Sequence, residues 1–357
     1  MEIEKIDKNF LTERSIPENA RVFDVRNDPF EINGVFFSGG HFVRMPEEDA
    51  KKVNPGVREL HSCTAGGRVR FSTDSSFLAV IADLNSVCPM PHAPYVLSAG
   101  FDIYRDNEYF KTVQPPLDFS LGVYTTVVPT DGNMHSYTVV MPCYGGVRSL
   151  LIGVGEGAQL KSPVPFRDSA PVIYYGSSIT QGGCASRPGN SYQALISRRF
   201  NLDYFNFGFS GSARGEKAMA DYIADMPMSL FFLDYDHNSP DPEHLKAHHE
   251  KFFLTVREKN PDLPVIMATK TDIPRSPDAE RDTAARRRAV YETYENALKR
   301  GDRNVMFIDG GTVFTEALNL TAPADSCTVD GCHPNDLGFA CMAKVYGDAI
   351  KNMLGLI

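Results

Sequence analysis

The chain has 357 residues, 42% of them hydrophobic, and a formal net charge of −9 at pH 7. This length predicts two domains, and the apolar fraction argues against an intrinsically disordered chain. The negative charge argues against a nucleic-acid partner, which would need a basic face, and no apolar run is long enough to cross a membrane.

The first half of the chain, up to about residue 160, has the pattern of short β-strands separated by turn residues. Asn33-Gly34 is a dipeptide favoured in two-residue hairpin turns, and no long helical pattern interrupts the strands. We therefore predict a β-sandwich or jelly-roll accessory domain over residues 1–165, which ends in a joint at Lys161–Pro165. The predicted strands are Arg21–Arg26, Ile32–Val35, Arg68–Phe71, Phe77–Ala82, Phe101–Tyr104, Val123–Val128, Tyr137–Met141 and Ser149–Val154.

From about residue 170 the pattern changes to strands that alternate with helices. One of these helices is predicted to end at Gly301, and the last is predicted to run from Leu337 to Leu354. The alternation predicts an α/β domain over residues 166–357, built on a doubly wound parallel sheet. The predicted strands are Val172–Tyr175, Tyr204–Phe207, Leu230–Leu233, Val265–Ala268 and Val305–Ile308.

Asp330 and His333 share one short loop near the C-terminus. A carboxylate three residues before a histidine can orient the imidazole and stabilise its protonated form. That histidine can then deprotonate a serine at a strand end, such as Ser178, which is the chemistry of nucleophilic acyl transfer. The serine has no glycine two residues after it, so this is not the G-x-S-x-G elbow of the α/β-hydrolases.

Acyl transfer also needs hydrogen-bond donors for a developing oxyanion. Three candidates follow strands of the predicted sheet: the backbone N–H groups of Ser178 and Gly211, and the side-chain amide of Asn238. Ligands bind beyond the carboxyl ends of parallel strands, so we expect these donors to meet Ser178 at one sheet edge.

The motifs resemble those of the SGNH (GDSL-like) hydrolases. Gly176-Ser177-Ser178-Ile179-Thr180 resembles the family's Gly-Asp-Ser-Ile-Thr block, and Asp330-x-x-His333 followed by Pro334 resembles its last block. Gly211 and Asn238 are similar to the glycine and asparagine of the second and third blocks. The resemblance implies a flavodoxin-like sheet, a catalytic set of Ser178, Asp330 and His333, an oxyanion hole from Ser178, Gly211 and Asn238, and no metal or other cofactor.

Two positions differ from the family motifs, and a further motif upstream extends the resemblance. Ser177 replaces the family's aspartate, and Asp234-Tyr235-Asp236-His237-Asn238 differs from the usual Gly-x-Asn-Asp of the third block. Upstream, Gly100-Phe101-Asp102-Ile103-Tyr104 resembles the Gly-x-Asp-Leu-Tyr motif of a β-rich domain that precedes one SGNH subgroup. The layout is similar to that of carbohydrate-ester deacetylases, so we predict a serine esterase for short acyl esters, above all acetyl esters on carbohydrates.

Two other classes of function stay open. His244 and His248 are four residues apart on a predicted helix, a spacing that can bind zinc, so a metal-dependent hydrolase using the His237–His249 cluster is one alternative. The simpler interpretation places His244, His248 and His249 on a solvated helix face. The other alternative is a non-catalytic carbohydrate-binding protein on an esterase-like scaffold.

The cysteines and the N-terminus bear on the compartment. The seven cysteines form no C-x-x-C pair, which favours reduced thiols, although Cys327 and Cys332 flank the Asp330 loop closely enough to form a bridge. Met1–Lys5 lacks the apolar core of a secretory signal, so we predict a cytoplasmic protein unless a leader has been removed. The predicted partner is a small-molecule or glycan ester, and the oligomeric state stays open.

Overall fold

The computed structural model describes residues 12–116, 118–168, 170–271, 273–274, 276–318 and 323–356. Met1–Lys5, on which the prediction about a secretory signal rests, lies outside the described residues. No helix of the described part is long and apolar enough to span a membrane.

The N-terminal part is built from two antiparallel sheets. One has the strand order β1-β11-β6-β9, and the other has the order β12-β5-β10-β7-β8 with β2 also paired to β5. In chain order the elements are β1 (Ala20–Asp24), β2 (Glu31–Asn33), β3 (Phe36–Ser38), β4 (His41–Val43), α1 (Glu47–Val53), α2 (Pro55–Leu60), β5 (Arg68–Thr73), β6 (Phe77–Val87), α3 (Val96–Ala99), β7 (Phe101–Arg105), β8 (Glu108–Val113), β9 (Gly122–Pro129), β10 (His135–Val140), β11 (Gly145–Gly155) and β12 (Leu160–Lys161).

Alternating side chains of these strands form the core of the sandwich. Along β6, Leu78, Val80, Ala82 and Leu84 are fully buried in one hydrophobic cluster. Successive side chains of a strand point to opposite faces, so this period of two places one apolar face of the strand inside. The predicted β-sandwich is confirmed.

The hairpin predicted at Asn33-Gly34 is wrong. β2 pairs with β5, and β3 pairs with β4 instead. The β3–β4 turn is made by Gly39 and Gly40, with φ of 61° and 84°. Positive φ at both central residues is what a type I′ hairpin turn requires, so this pair provides the turn.

The C-terminal part is a five-stranded parallel sheet with the order β14-β13-β15-β16-β17, flanked by helices. Numbered within the sheet, this is the order 2-1-3-4-5 of flavodoxin-like folds, which confirms the predicted class. The elements are β13 (Val172–Gly176), α4 (Ser178–Gln181), α5 (Tyr192–Phe200), β14 (Tyr204–Gly208), α6 (Lys217–Ala224), β15 (Leu230–Asp234), α7 (Pro242–Lys259), β16 (Val265–Ala268), α8 (Pro277–Lys299), β17 (Val305–Ile308), α9 (Gly310–Leu318) and α10 (Asp336–Met353). The boundary at residues 165 and 166 falls between β12 and β13 and stays a prediction.

Buried arginines tie the two parts together. The Arg44 guanidinium is fully buried and donates to the carbonyls of Asn206, at 3.3 Å, and of Gly208, at the end of β14. Arg68 pairs with Asp203 just before the same strand. Burial lowers the pKa of Arg44 to about 10, which still leaves it charged at neutral pH. The N-terminal part thus supports the sheet edge that carries the Gly211 loop.

Candidate active site

Ser178 is placed by a tight strand-to-helix turn. β13 ends at Gly176, Ser177 accepts a hydrogen bond from the Ile179 N–H at 3.2 Å, and Ser178 is the first residue of α4. A serine side chain that accepts from an N–H of the first turn is a favoured helix N-cap. Ser177, where the family resemblance has an aspartate, is therefore the cap of the short helix that begins at Ser178.

Tyr144 of the N-terminal part contacts the backbone of this turn. Its hydroxyl donates to the Ser178 carbonyl at 3.3 Å, and the Gly183 N–H donates to the same oxygen at 2.8 Å. Tyr144 is buried, and Ser178 is buried as well, with 7% of its surface exposed. The backbone of Ser178 is therefore held from both halves of the chain.

Asp330, His333 and Ser178 form one chain of hydrogen bonds. His333 Nε2 lies 3.0 Å from Ser178 Oγ, and His333 Nδ1 lies 2.8 Å from Asp330 Oδ2. The other Asp330 oxygen accepts from the backbone N–H groups of His333, at 2.7 Å, and Cys332, at 2.9 Å. The structure thus brings the three predicted residues together in the arrangement of a Ser-His-Asp triad.

Neighbouring groups determine the protonation states of Asp330 and His333. Burial acts to raise the pKa of Asp330, but hydrogen bonds from His333 and from the Cys332 N–H outweigh burial and lower the pKa to about 2. The Cys332 side chain raises the pKa of His333 to about 9, burial opposes this, and Asp330 adds to it. His92 and His237 also face the His333 ring. At neutral pH the resting pair is therefore a carboxylate and an imidazolium.

We expect kcat/KM for p-nitrophenyl acetate to rise with pH and to level off above the His333 pKa of about 9. His333 can accept the Ser178 proton only when its imidazole is neutral, so the active fraction grows as the pH increases through that pKa. Since Cys332 raises this pKa, Cys332→Ala should move the midpoint to lower pH. The measurement is a pH profile of kcat/KM corrected for spontaneous hydrolysis.

Cys88→Ala is the matched control for this profile, because it removes an exposed thiol outside the Asp330–His333 loop. Its midpoint should equal that of the wild type. An unchanged midpoint in Cys332→Ala would show that the thiol does not set the basicity of His333.

Two backbone N–H groups are available as oxyanion donors. As the first residue of α4, Ser178 has no intrahelical partner for its N–H. Gly211 has φ of +67°, open space where a Cβ would lie, and no hydrogen bond from its N–H to another described residue. The Ser210 N–H, by contrast, donates to Gln181 Oε1 at 3.0 Å. Gly211 is thus the better placed donor of this loop.

Asn238 ends a short 3₁₀ turn, Asp236–Asn238, that follows β15. Its amide oxygen is buried without a hydrogen-bond partner among the described residues. The neighbouring His237 Nε2 lies 3.7 Å from Cys332 Sγ, which brings this turn against the His333 loop. Asn238 thus follows directly a residue that contacts the His333 loop, and its role as an oxyanion donor stays a prediction.

The His237–His249 cluster does not assemble a metal site within the described part of the chain. His249 is buried and hydrogen-bonded to a threonine hydroxyl of α8, so its predicted place on a solvated face is wrong. His244 contacts the Arg214 carbonyl at 3.0 Å, and His248 contacts the His244 carbonyl at 2.8 Å. The potential metal-ligand groups that the described residues do form all include His333 instead.

A buried aspartate of the N-terminal part holds the loop that follows Ser178, and sequence reasoning missed this role. Asp102 is fully buried and accepts hydrogen bonds from Thr112 at 2.7 Å, Arg187 at 3.0 Å and the Gly189 N–H at 2.7 Å. Gly189 packs so closely on Tyr104 that a Cβ there would lie 2.1 Å from the phenol oxygen. The Gly-x-Asp-x-Tyr motif is therefore an interdomain contact.

The loop that contains Gly189 also contacts the segment that follows His333. The Ser186 N–H donates to Asp336 Oδ1 at 2.8 Å, and the Asn190 amide donates to Asp336 Oδ2 at 2.9 Å. Asp336 lies three residues after His333, at the start of α10. The cap itself is Asn335, which accepts from the Gly338 N–H at 3.1 Å. A continuous polar path thus runs from Asp102 to the segment that carries His333.

The cysteines of the site are free thiols. Cys327 and Cys332 form no bridge, and all seven cysteines are unpaired. Cys327 is buried, whereas Cys332 is half-buried and lies within the Asp330–His333 loop. The possible bridge between them is absent from the structure.

A cavity of about 790 Å³ lies elsewhere, between β8 and β9 of the sandwich. None of Ser178, Asp330 and His333 lines it. It is therefore a separate feature of the N-terminal part, and the chemistry of the triad, not cavity size, identifies the site.

Comparison with known proteins agrees with this geometry. Residues 169–351 match the model of the GDSL-like lipase/acylhydrolase family, and residues 21–160 match the model of the GxDLY domain, the N-terminus of SGNH-type esterases. The chain belongs to the GDSL-like lipase/acylhydrolase family. It is accordingly a carboxylic ester hydrolase, and the predicted family is confirmed.

Solved structures share the whole two-part layout. A GDSL-like lipase from Bacteroides ovatus is 27% identical, with a TM-score of 0.83 over 94% of this chain and 98% of that one. A salicylyl-acyltransferase from a tetracycline biosynthetic pathway is 23% identical, with a TM-score of 0.78 over 96% and 99%. A mutant of a family two carbohydrate esterase from Clostridium thermocellum is 14% identical, with a TM-score of 0.62 over 93% and 100%. No curated protein matches the chain.

Proposed function

We propose that this GDSL-like hydrolase is a serine esterase that cleaves short acyl esters, above all acetyl esters of carbohydrates, through an acyl-enzyme on Ser178. The observation that carries the proposal is the unbroken set of hydrogen bonds from Asp330 through His333 to Ser178 Oγ. Carbohydrate binding alone does not require a serine, a histidine and an aspartate linked by hydrogen bonds, so this set argues against a non-catalytic binding protein.

The first half-reaction begins with proton transfer. His333 Nε2 takes the proton of Ser178 Oγ, and the oxygen attacks the ester carbonyl. The Asp330 carboxylate keeps Nδ1 protonated, so that Nε2 is the basic nitrogen, and it stabilises the imidazolium that results. Asp330 remains ionised, in keeping with its pKa of about 2.

The negative charge then develops on the carbonyl oxygen. The N–H groups of Ser178 and Gly211 and the amide of Asn238 donate to this oxygen, at a place where they need not reorganise. Losing one such donor costs on the order of 10²- to 10³-fold in kcat in related chemistry. His333 protonates the departing alcohol, and water repeats the cycle on the acyl-enzyme, which regenerates Ser178.

The N-terminal part contributes one side of the substrate site. The His92 ring lies 5.7 Å from the His333 ring, centroid to centroid, and His92 is exposed. We infer that the segment Met90–His92 forms a wall beside the catalytic histidine. Asp102 and Tyr104, by contrast, lie at the interdomain contact. A polar wall beside the histidine favours a polar alcohol, such as a sugar, and a small acyl group.

We expect kcat/KM to be far higher for acetyl and propionyl esters than for octanoyl esters, with sugar acetates accepted as substrates. A pocket for a long chain would gain about 0.8 kcal/mol per buried methylene, or roughly a fourfold increase at each step. The measurement is a series of p-nitrophenyl esters at subsaturating concentration, followed by acetylated oligosaccharides. A steady rise from acetyl to octanoyl would contradict the short-acyl proposal and leave the triad intact.

A further inference from the structure

Three soft metal ligands from three separate segments meet at the triad. His92 lies in the loop after β6, Cys184 in the loop after α4, and His333 in the loop before α10. One ligand atom from each residue lies within 4.8 Å of the others. A thiol and two imidazoles form a ligand set typical of Zn²⁺, whose bonds are about 2.0 Å to nitrogen and 2.3 Å to sulfur. Two ligand atoms of a tetrahedral ion with these bonds lie about 3.4 Å apart, so the atoms need to approach one another by at most about 1.4 Å.

The surroundings of His92 and Cys184 favour these two residues as metal ligands. The Cys184 thiol and the His92 ring make no hydrogen bond with another described residue, and the His92 ring contacts the His333 ring. Cys184 is buried, with φ of 74°, and His92 is exposed on a loop that has room to adjust. Left-handed backbone at a residue with a side chain is sparsely populated and is often found at functional sites.

The second possible set consists of Asp330, Cys332 and His333, and it is already engaged. Asp330 accepts three hydrogen bonds, from the two backbone N–H groups and from His333 Nδ1. An ion at this place would have to displace them from an exposed carboxylate. His92 and Cys184 have no such hydrogen bonds to lose, but the ion must displace one partner of His333 and deprotonate the Cys184 thiol, whose pKa burial raises to about 12.

A metal at this place is incompatible with catalysis. Both ring nitrogens of His333 are in use, Nδ1 with Asp330 and Nε2 with Ser178. If Nε2 coordinates the ion, it has no free lone pair for the Ser178 proton. If Nδ1 coordinates it, the neutral ring carries its proton on Nε2, so the base is lost in either case. We propose that His92, Cys184 and His333 form an inhibitory Zn²⁺ site, which stops the esterase when the ion is bound.

This inference goes beyond the proposed esterase function and has a readout that does not depend on it. Co²⁺ added to EDTA-treated full-length protein should produce the intense near-ultraviolet band of a cobalt–thiolate bond, together with visible bands of tetrahedral Co²⁺. Zn²⁺ should abolish both sets of bands by competition. Ser178→Ala should retain the bands, since the serine is not a ligand.

The variants identify the ligands. Cys184→Ser should lose the near-ultraviolet band, and His92→Gln should weaken Co²⁺ binding by at least about tenfold, since even residues behind a ligand contribute that much. Cys332→Ser should leave the spectrum unchanged. A spectrum that lacks the thiolate band in the wild type, or that depends on Cys332 and not on Cys184, would overturn the proposal.

Activity provides the second arm. Zn²⁺ should inhibit hydrolysis of p-nitrophenyl acetate, EDTA should restore the full rate, and Cys184→Ser should need at least about tenfold more Zn²⁺ for the same fractional loss. Each variant is compared with its own rate in EDTA. Metal binding without inhibition would refute the inhibitory role, and a rate that falls in EDTA would refute the metal-free mechanism instead.

Discussion

Replacing Ser178 with alanine should lower kcat for p-nitrophenyl acetate by on the order of 10⁴- to 10⁶-fold, the range observed when a nucleophile is removed from a serine hydrolase. The Ser178 hydroxyl lies 3.0 Å from His333 Nε2 and is the group that this mechanism deprotonates. The substitution removes one hydroxyl and leaves the hydrogen bonds of the Ser178 backbone in place, so the fold should be retained. Steady-state kinetics and circular dichroism test both statements.

Ser177→Ala is the matched control for the nucleophile. It removes the adjacent hydroxyl, which caps α4 by accepting from the Ile179 N–H. The loss of a cap costs about 1 kcal/mol of stability, so turnover should persist. An alkylphosphonate probe should label Ser178 in the wild type and in Ser177→Ala. Wild-type turnover in Ser178→Ala would remove the basis of the mechanism.

Replacing Asp102 with alanine should destabilise the protein by roughly 3 kcal/mol and also reduce kcat. Removing one partner of a buried ion pair leaves the other charge uncompensated, which typically costs 3–5 kcal/mol, and the low end applies because the Arg187 side chain is 22% exposed. The Gly189 N–H loses its acceptor as well. Denaturant unfolding and kinetics well below the unfolding transition measure the two effects.

The control for this prediction is Asp83→Ala. Asp83 pairs with Arg148 at 2.9 Å, but the Arg148 side chain is 54% exposed, so about 0–1 kcal/mol should be lost and kcat should not change. The double variant Asp102→Ala/Arg187→Ala should lose less than the sum of the single losses, because no charge is left unpaired. A fall in stability with unchanged kcat would show that Asp102 does not position the catalytic loops.

The parts of the fold that follow a local pattern were predictable from the sequence. The strands of the parallel sheet and the end of α8 are examples. Gly301 has φ of 88°, its N–H donates to the Leu298 carbonyl, and the Asp302 N–H donates to the Ala297 carbonyl, which together form a Schellman motif. Ser178 and His333 were also expected together, since loops at the carboxyl edge of a parallel sheet converge.

Features that depend on contacts between distant segments were not predictable. α1 and α2 are too short to show a helical period, yet Asn54 between them donates to the Ser212 carbonyl at 2.9 Å and supports the Gly211 loop. Asp102 fits the alternating pattern of an ordinary strand, and only the tertiary structure shows that Arg187 and Gly189 donate hydrogen bonds to it. His92 and Cys184 have no shared spacing that a sequence pattern could reveal.

The buried charges at the interdomain contact have a consequence for synthesis on the ribosome. The N-terminal sandwich emerges first and offers Arg44, Arg68 and Asp102 some hydrogen-bond partners, but the ion-pair partners of Arg68 and Asp102 and the β14 carbonyls that bind Arg44 lie in residues 187–208. Until those residues emerge, the three charges must stay in water, so the sandwich cannot close the face that carries them. The last stage of folding for the first domain is therefore tied to translation of the nucleophile segment, and an isolated N-terminal domain would expose this charged face to solvent.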